Sequence, residues 1–159
     1  MGTTKTGRTI NTKGARGCAS QYAIIHSNEG DYTKPRNGEH IRLKAGGHGQ
    51  TGLNELDKYG IEYHIVKTYP NGVRVGYIPN HKERKMRSGT NQSWFPREWK
   101  SKDIKHAGEH VAKLKKNRKM QNGTVFGMWK GVRVGVIIRD GNIQTIFPDS
   151  NQPNKNRRK

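Results

Sequence analysis

Histidine is the residue type best placed to do chemistry in this chain. Two of its seven histidines, His40 and His48, lie in glycine-containing loop sequence rather than on a periodic helix or strand. Imidazole titrates near neutral pH, so a pair of imidazoles can accept and donate a proton in one reaction. RNA transesterification needs such a pair, because one group takes the proton of the 2′-hydroxyl and another protonates the departing 5′-oxygen. The sequence therefore predicts metal-free acid–base chemistry at His40 and His48, a route that cannot cleave DNA.

A basic segment could hold the negative charge that develops on the phosphorus. Residues 80–88 read NHKERKMRS and combine one histidine with four Lys or Arg side chains. Such a segment is either a solvated connector or a phosphate clamp, and a cation placed at the scissile phosphate would stabilise the transition state. In the second interpretation, we expect the cationic side chains of this segment to contact the phosphates of the substrate.

Aromatic residues are concentrated in the segment 93–99, which reads SWFPREW. Two functions are possible for Trp94 and Trp99. They could anchor the loop to the body of the domain, or they could stack on nucleic-acid bases. The density of aromatic side chains favours anchoring.

Other catalytic chemistries find less support in the sequence. It contains no HExxH, DxD, Walker or GxSxG motif. His106 and His110 have the i, i+4 spacing that can hold a metal on a helix, but a surface position is the commoner explanation of such a pair. A metal-dependent DNase built from His48, His81 and a carboxylate such as Asp140 remains an alternative.

The composition points to a polyanionic partner. Lys and Arg number 31 against 12 acidic residues, which gives a formal charge of +19 in 159 residues. This excess favours nucleic acid over the next candidates, an anionic membrane and an acidic protein. No apolar run approaches the length of a transmembrane helix, and the basic start of the chain does not resemble a secretory signal. Cys18 is the only cysteine, which excludes an intrachain disulfide.

Periodicity predicts an α+β fold, in which a helical N-terminal part precedes an antiparallel β-sheet with one packed helix. The strongest local signal is a hairpin over 131–149, with a turn at Asp140-Gly141. The pentapeptide GVRVG occurs at 72–76 and again at 131–135, and we expect the two copies to form strands of one sheet. The other predicted elements are a strand or helical turn at 21–26, a helix from Thr51 to Gly60, strands at 61–69, 73–78 and 124–129, and a helix from Ser101.

The sequence also predicts how the chain is divided into domains. Residues 1–37 are expected to form a basic and largely flexible arm, because the first 17 residues have almost nothing to bury. Residues 38–150 would form the functional domain. Residues 151–159 would form a disordered basic tail.

Three motifs together resemble the bacterial EndoU-type nucleases. They are HI followed by GGHG, then SWFP with a tryptophan and a helix after it, and a final strand of the form GxIxTxFP. These nucleases are toxin domains of the barnase/EndoU superfamily, often found at the C-termini of polymorphic toxins and in phages. The resemblance implies two active-site histidines, a lysine, and a Ser/Thr-x-Tyr motif on the last strand.

Carried over to this chain, the resemblance implies a specific set of residues. The second histidine is His48 in GGHG, and the first is His40 in GEHI. The Ser/Thr-x-Tyr motif falls on Thr145 to Phe147, so phenylalanine replaces the tyrosine. Gln92 stands where the family has its lysine, so Lys82 or Lys85 would supply the cation. The predicted catalytic residues are His40, His48, Thr145 and Lys82, and the predicted substrate-binding residues are His81, Lys85, Arg87, Gln92, Ser93 and Phe147.

The function implied by the resemblance is that of an endoribonuclease that needs no metal or other cofactor and leaves a 2′,3′-cyclic phosphate. Its partners would be RNA and an acidic cognate immunity protein. It would act in the cytoplasm of a target bacterium, delivered as part of a larger secreted toxin or encoded by a phage. Two alternatives stay open: the metal-dependent DNase and a nucleic-acid-binding protein without activity.

Overall fold

Within the part of the chain that the structure describes, the fold combines three α-helices with three small antiparallel sheets, which confirms the predicted α+β class. The computed structural model describes residues 17–153. In chain order the elements are α1 (Gln21–Asn28), β1 (Asp31–Tyr32), β2 (Leu43–Ala45), α2 (Gln50–Lys58), β3 (His64–Thr68), β4 (Arg74–Tyr77), a 3-10 helix (Arg84–Arg87), β5 (Gln92–Trp94), α3 (Ser101–Lys113), β6 (Gly123–Trp129), β7 (Val132–Arg139) and β8 (Asn142–Pro148).

Strands β6, β7 and β8 form an antiparallel meander that carries the larger core. Its two tight turns, at Lys130-Gly131 and Asp140-Gly141, have positive φ at both central residues. This is the type I′ geometry that matches the twist of paired strands, and it confirms the hairpin predicted from Asp140-Gly141. Helix α3 packs on the sheet through Ile104, Ala107 and Val111, all fully buried. The predicted helix from Ser101 is therefore confirmed.

The two GVRVG segments belong to different sheets, so the prediction of one shared sheet is wrong. Strand β4 pairs with β3 and β5, whereas β7 pairs with β6 and β8. The two valines of each segment are β-branched and fit any half-buried strand. They encode the strand conformation but not its partner, which long-range packing decides.

The predicted N-terminal arm, residues 1–37, extends too far, because helix α1 lies within it and belongs to the folded body. The Ser20 side chain caps the helix by accepting from the Ala23 backbone N–H at 3.1 Å. Ala23 and Ile24 are buried in the larger core, and the Ser27 hydroxyl accepts from Ile146 N–H on β8 at 2.9 Å. Residues 21–28 are thus part of the folded body. The remainder of the predicted arm, 1–16, lies outside the described residues.

A second core lies under helix α2 and strand β5. Leu53 and Leu56 of α2 are buried with Trp94 of β5.

The aromatic segment also reaches the larger core. Phe95 stacks on Trp99 with ring centroids 4.9 Å apart, and Trp99 contacts Trp129 edge to face. Trp94 and Trp99 therefore anchor the aromatic segment to the body, as the sequence favoured.

The described part of the C-terminal tail is also tied to the fold. Gln152 is buried; its carboxamide oxygen accepts from Arg133 N–H and its nitrogen donates to Arg133 O, both at 2.8 Å. The predicted disorder from residue 151 is therefore incorrect up to residue 153, and 154–159 lie outside the described residues. Among the helices of the described region, none is long and apolar enough to cross a membrane.

Candidate active site

A cleft of about 540 Å³ lies where the C-terminal end of α1, the loop before α2, strand β5 and strand β8 meet. Three histidines line it, namely His26, His48 and His81. The other lining residues are Lys44, Ala45, Gly46, Glu83, Lys85, Met86, Asn91, Gln92, Ser93, Ile137, Thr145, Phe147 and Ser150.

His48 is held at the centre of this cleft by its own backbone. Its N–H donates to Ser27 O at 2.6 Å, and its carbonyl accepts from Phe95 N–H at 2.7 Å. The imidazole Nδ1 lies 2.8 Å from the backbone carbonyl of Ser93. A carbonyl can only accept, so Nδ1 carries the hydrogen and Nε2 keeps its lone pair. His48 is therefore fixed in the tautomer that can accept a proton at Nε2.

Burial also keeps His48 uncharged. Loss of hydration lowers the pKa of His48 to about 4; the hydrogen bond to Ser93 O opposes this shift, and His26 and His81 nearby add to it. At pH 7 the ring is neutral, which is the form that a general base needs.

His81 presents the opposite tautomer. Its Nδ1 accepts from Glu83 N–H at 2.8 Å, so its hydrogen lies on Nε2. Burial lowers the pKa of His81 to about 4; Glu83 opposes the shift, whereas Arg87 and Arg42 reinforce it. Both arginines also donate to the carbonyl of His81, at 2.8 and 3.3 Å. His81 is therefore a fixed, neutral hydrogen-bond donor, and Arg87 contributes by holding its backbone.

His26 is the residue that sequence analysis missed. It lies in the last turn of α1, and its Nδ1 is 2.8 Å from the Asp31 carboxylate, which also accepts from Tyr22 OH at 3.2 Å. A carboxylate at Nδ1 fixes a hydrogen there, as in other carboxylate–histidine pairs. Nε2 is then the ring atom left to exchange a proton. The signal in the sequence was an acid five residues after a histidine that ends an apolar stretch.

Two glycines bring His26 and His48 together. Gly46 and Gly47 have φ of +72° and +75°, and Gly47 N–H donates to His26 O at 3.0 Å. A Cβ on Gly46 would clash with His26 O and would lie 3.1 Å from His26 Nε2. The loop can therefore fold back onto the end of α1 only with glycine at this point.

Strand β8 supplies one wall of the cleft. Thr145 and Phe147 are two residues apart on the strand and face the same side, which is the side of the cleft. The Phe147 ring lies 5.9 Å from that of His48, centroid to centroid. The Ser93 hydroxyl donates to Pro148 O at 2.7 Å and ties β5 to β8. Ser93 thus acts through its carbonyl and hydroxyl as support for the cleft.

Gln92 has an unusual position in the floor of the cleft. Its side chain is buried, and neither its carboxamide oxygen nor its nitrogen has a hydrogen-bond partner within residues 17–153. Burying an unpaired amide costs about 1–3 kcal/mol. To bond a molecule in the cleft, the Gln92 side chain must turn so that its amide becomes accessible.

The structure separates two of the four predicted catalytic residues from this cleft. His48 and Thr145 line it, but His40 and Lys82 line a different cavity. Around His81 the side chains alternate, so that Lys82 lines the second cavity and His81 the cleft. His40 lies in the segment before β2, which lines the second cavity up to Arg42, whereas the cleft is lined from Lys44 onwards. Of the predicted binding residues, the cleft includes His81, Lys85, Gln92, Ser93 and Phe147, but not Arg87.

The residues proposed for a metal site are not brought together. Asp140 lies in the β7–β8 turn and lines another cavity, away from His48 and His81. In the described part of the chain, no group of three or more His, Cys, Asp or Glu side chains is arranged to hold a metal ion. His106 and His110 have exposed side chains on α3.

The two lowered pKa values predict how stability depends on pH. Below pH 6.5 the histidines of the unfolded chain take up protons, but His48 and His81 in the folded chain stay neutral until about pH 4. The free energy of unfolding should therefore fall by about 1–2 kcal/mol per histidine between pH 7.5 and pH 5. Urea unfolding at each pH measures this. The double variant His48→Asn/His81→Asn should flatten the curve, and the exposed control His106→Asn should not.

Comparison with known proteins identifies the family of the chain. The chain matches the family model of the bacterial EndoU nucleases over residues 20–150. Comparisons with curated proteins and with solved structures found no significant match. The matched range begins just before α1 and ends just after β8, so it includes every residue that lines the cleft. The chain belongs to the bacterial EndoU nuclease family.

Proposed function

We propose that this protein is a metal-independent endoribonuclease that cleaves RNA by transesterification. The observation that carries the proposal is the pairing of two histidines with opposite roles in one cleft. His48 offers a neutral Nε2 lone pair, and His26, whose Nδ1 is bonded to the Asp31 carboxylate, would act as the acid through Nε2. Acid–base catalysis of RNA cleavage needs one group of each kind.

The reaction follows from these positions. His48 Nε2 accepts the proton of the 2′-hydroxyl as the 2′-oxygen bonds to phosphorus. The P–O5′ bond then breaks, and His26 Nε2–H protonates the departing 5′-oxygen. The products are a 2′,3′-cyclic phosphate and a 5′-hydroxyl. One histidine gains a proton and the other loses one, so the return of a proton through water restores the enzyme.

Neighbouring groups would stabilise the pentacoordinate phosphorane. Thr145 can donate its hydroxyl hydrogen, and His81 can donate from Nε2. Lys44 and Lys85 line the cleft with exposed side chains and can balance the charge. Hydrogen bonds and cations placed where charge develops lower the barrier. Lys44 was not among the residues predicted from the sequence, and it takes the place given there to Lys82.

Gln92 gives a prediction in which stability and substrate binding change in opposite directions. Gln92→Met keeps the side-chain length but removes the unpaired amide. The free energy of unfolding should rise by about 1–2 kcal/mol, whereas KM for RNA should rise about tenfold because a substrate hydrogen bond is lost. Denaturant unfolding and steady-state kinetics measure the two effects.

The matched control is Gln144→Met. Gln144 also has a buried carboxamide oxygen without a partner in the described region, but it lines a cavity other than the cleft. This variant should change stability with KM unaltered. If KM is unchanged in Gln92→Met as well, Gln92 does not bind substrate.

The proposal extends to the biological setting. An active ribonuclease endangers the cell that makes it, so we place the protein as a toxin domain whose partner is an acidic immunity protein that covers the cleft. The formal charge of +19 favours an acidic partner. The target would be RNA in the cytoplasm of another bacterium, reached by delivery within a larger secreted toxin or from a phage.

The experiment that tests the activity is incubation of the purified protein with total RNA and with plasmid DNA, each with and without EDTA. The proposal expects RNA cleavage that EDTA does not affect and no cleavage of DNA. Cleavage of DNA that EDTA abolishes would instead establish a metal-dependent DNase. Binding of both without cleavage would establish a nucleic-acid-binding protein.

A further inference from the structure

A second, larger cavity lies beside the cleft. Its volume is about 760 Å³, and its lining is rich in basic side chains, with Glu39 as the only acid. It contains two of the four residues that were predicted to be catalytic, His40 and Lys82. The complete lining is Thr33, Lys34, Arg36, Asn37, Glu39, His40, Arg42, Asn80 and Lys82.

The positive charge of this cavity is not balanced by nearby acids. None of the ion pairs within residues 17–153 involves Lys34, Arg36, Arg42 or Lys82. The Arg42 guanidinium donates to two backbone carbonyls, Asn80 O at 2.9 Å and His81 O at 3.3 Å. Carbonyls fix its position without neutralising it. Lys34, Arg36 and Lys82 are exposed, so they can move to meet a ligand.

The cavity and the cleft share a wall that is one chain segment thick. In the segment after β4, Asn80 and Lys82 line the basic cavity, whereas His81 lines the cleft. Arg42, just before β2, lines the basic cavity, and Lys44 of β2 lines the cleft. The Lys82 backbone N–H donates to Leu43 O at 2.9 Å and closes this wall. A strand of RNA that leaves the cleft across the wall would therefore enter the basic cavity.

We infer that the basic cavity is a subsite for the RNA backbone, which binds phosphates outside the scissile dinucleotide. Several mobile cations around an open cavity suit a chain of phosphates, because each contact releases counterions and adds affinity without reading sequence. This inference rests on the proposed ribonuclease function. It assigns to Lys82 and His40 a binding role, and it predicts that longer RNA is cleaved more efficiently than a dinucleotide.

The test compares two substrates in one triple variant, Lys34→Gln/Arg36→Gln/Lys82→Gln. For an RNA of about twelve nucleotides, KM at 0.1 M salt should rise about 10- to 100-fold with kcat unchanged. For a dinucleotide, which is too short to cross the wall, KM and kcat should both stay at wild-type values. Equal effects on the two substrates would overturn the inference.

Two controls separate position from charge. Lys102→Gln/Lys115→Gln/Lys116→Gln removes the same charge from exposed side chains on and just after α3, which line neither cavity. This variant should raise KM for the longer RNA much less than the first. Lys34→Arg/Lys82→Arg keeps the charge and should behave like wild type. A distal triple variant as impaired as the first would contradict a specific subsite.

Binding of a 2′-O-methyl RNA of the same length tests the subsite even if no cleavage occurs. The slope of log K against log salt should become shallower by about 2 in the first triple variant, because about 0.7 is lost per phosphate contact on a single strand. An unchanged slope would overturn the subsite. Absence of RNA cleavage by the wild type, with the slope change present, would overturn only the proposed function.

Discussion

His48→Ala is expected to lower kcat for RNA cleavage by about 10²–10⁴-fold and to leave RNA affinity nearly unchanged. In the proposed mechanism the side chain supplies the proton acceptor, and general acid–base groups contribute rate factors of this size. Its backbone contacts with Ser27 and Phe95 do not need the imidazole, so the variant should keep its fold. Steady-state kinetics and the binding of a 2′-O-methyl RNA measure the two quantities.

The pH dependence gives an independent check on the role of His48. A base must be neutral to act, and burial lowers the pKa of His48 to about 4. The acid limb of the profile of kcat/KM should therefore lie near pH 4 rather than near pH 6.5. Activity should persist at pH 5, at which an ordinary histidine is mostly protonated. An acid limb near 6.5, or a His48→Ala variant of normal activity, would exclude His48 as the base.

His26→Ala is expected to have an effect of similar size on RNA, and the choice of leaving group can identify its role. RNA cleavage expels an alkoxide that needs a proton, so loss of the acid should lower kcat by about 10²–10⁴-fold. A nucleoside 3′-(4-nitrophenyl phosphate) expels a phenolate that needs none. His26→Ala should therefore cleave this substrate at close to the wild-type rate, whereas His48→Ala should not.

A double histidine variant and two substitutions of Asp31 test the same roles further. His26→Ala/His48→Ala should lose little more activity than either single variant, because residues that act as a unit are not additive. Asp31→Asn should lower kcat for RNA, and Asp31→Glu should restore part of it, since the Asp31 carboxylate holds the ring of His26. If His26→Ala impairs both substrates equally, His26 positions the substrate rather than protonating the leaving group.

Local signals predicted those parts of the fold that local chemistry determines. Asp140-Gly141 adopts the turn expected of that dipeptide, and the apolar stripe through Ile104, Ala107 and Val111 forms the packed helix. Helix α1 was harder to predict because it has only eight residues and its burial depends on β8. Local signals could not predict which strands pair, since the two copies of the pentapeptide GVRVG lie in different sheets.

The residues of the candidate active site likewise differ in whether local sequence could predict them. His48 was predicted from its glycine-rich loop and from the family resemblance, and Thr145 from the resemblance alone; both line the cleft. His26 was missed because it meets His48 only when Gly46 and Gly47 fold back onto α1, a contact that no periodicity reveals. His40 was chosen for its loop sequence, yet the wall between the two cavities places it on the far side of Lys44.

In the proposed mechanism the 2′-hydroxyl attacks the phosphorus, and the chemical groups at the ends of the product reveal whether this attack takes place. The measurement is the cleavage of a defined RNA oligonucleotide in EDTA, with the product ends identified by mass spectrometry. A second oligonucleotide carries 2′-deoxyribose at the cleaved position. We predict a 2′,3′-cyclic phosphate and a 5′-hydroxyl from the first and no cleavage of the second at that position. Cleavage at the deoxyribose, or a 5′-phosphate on the product, would contradict the account.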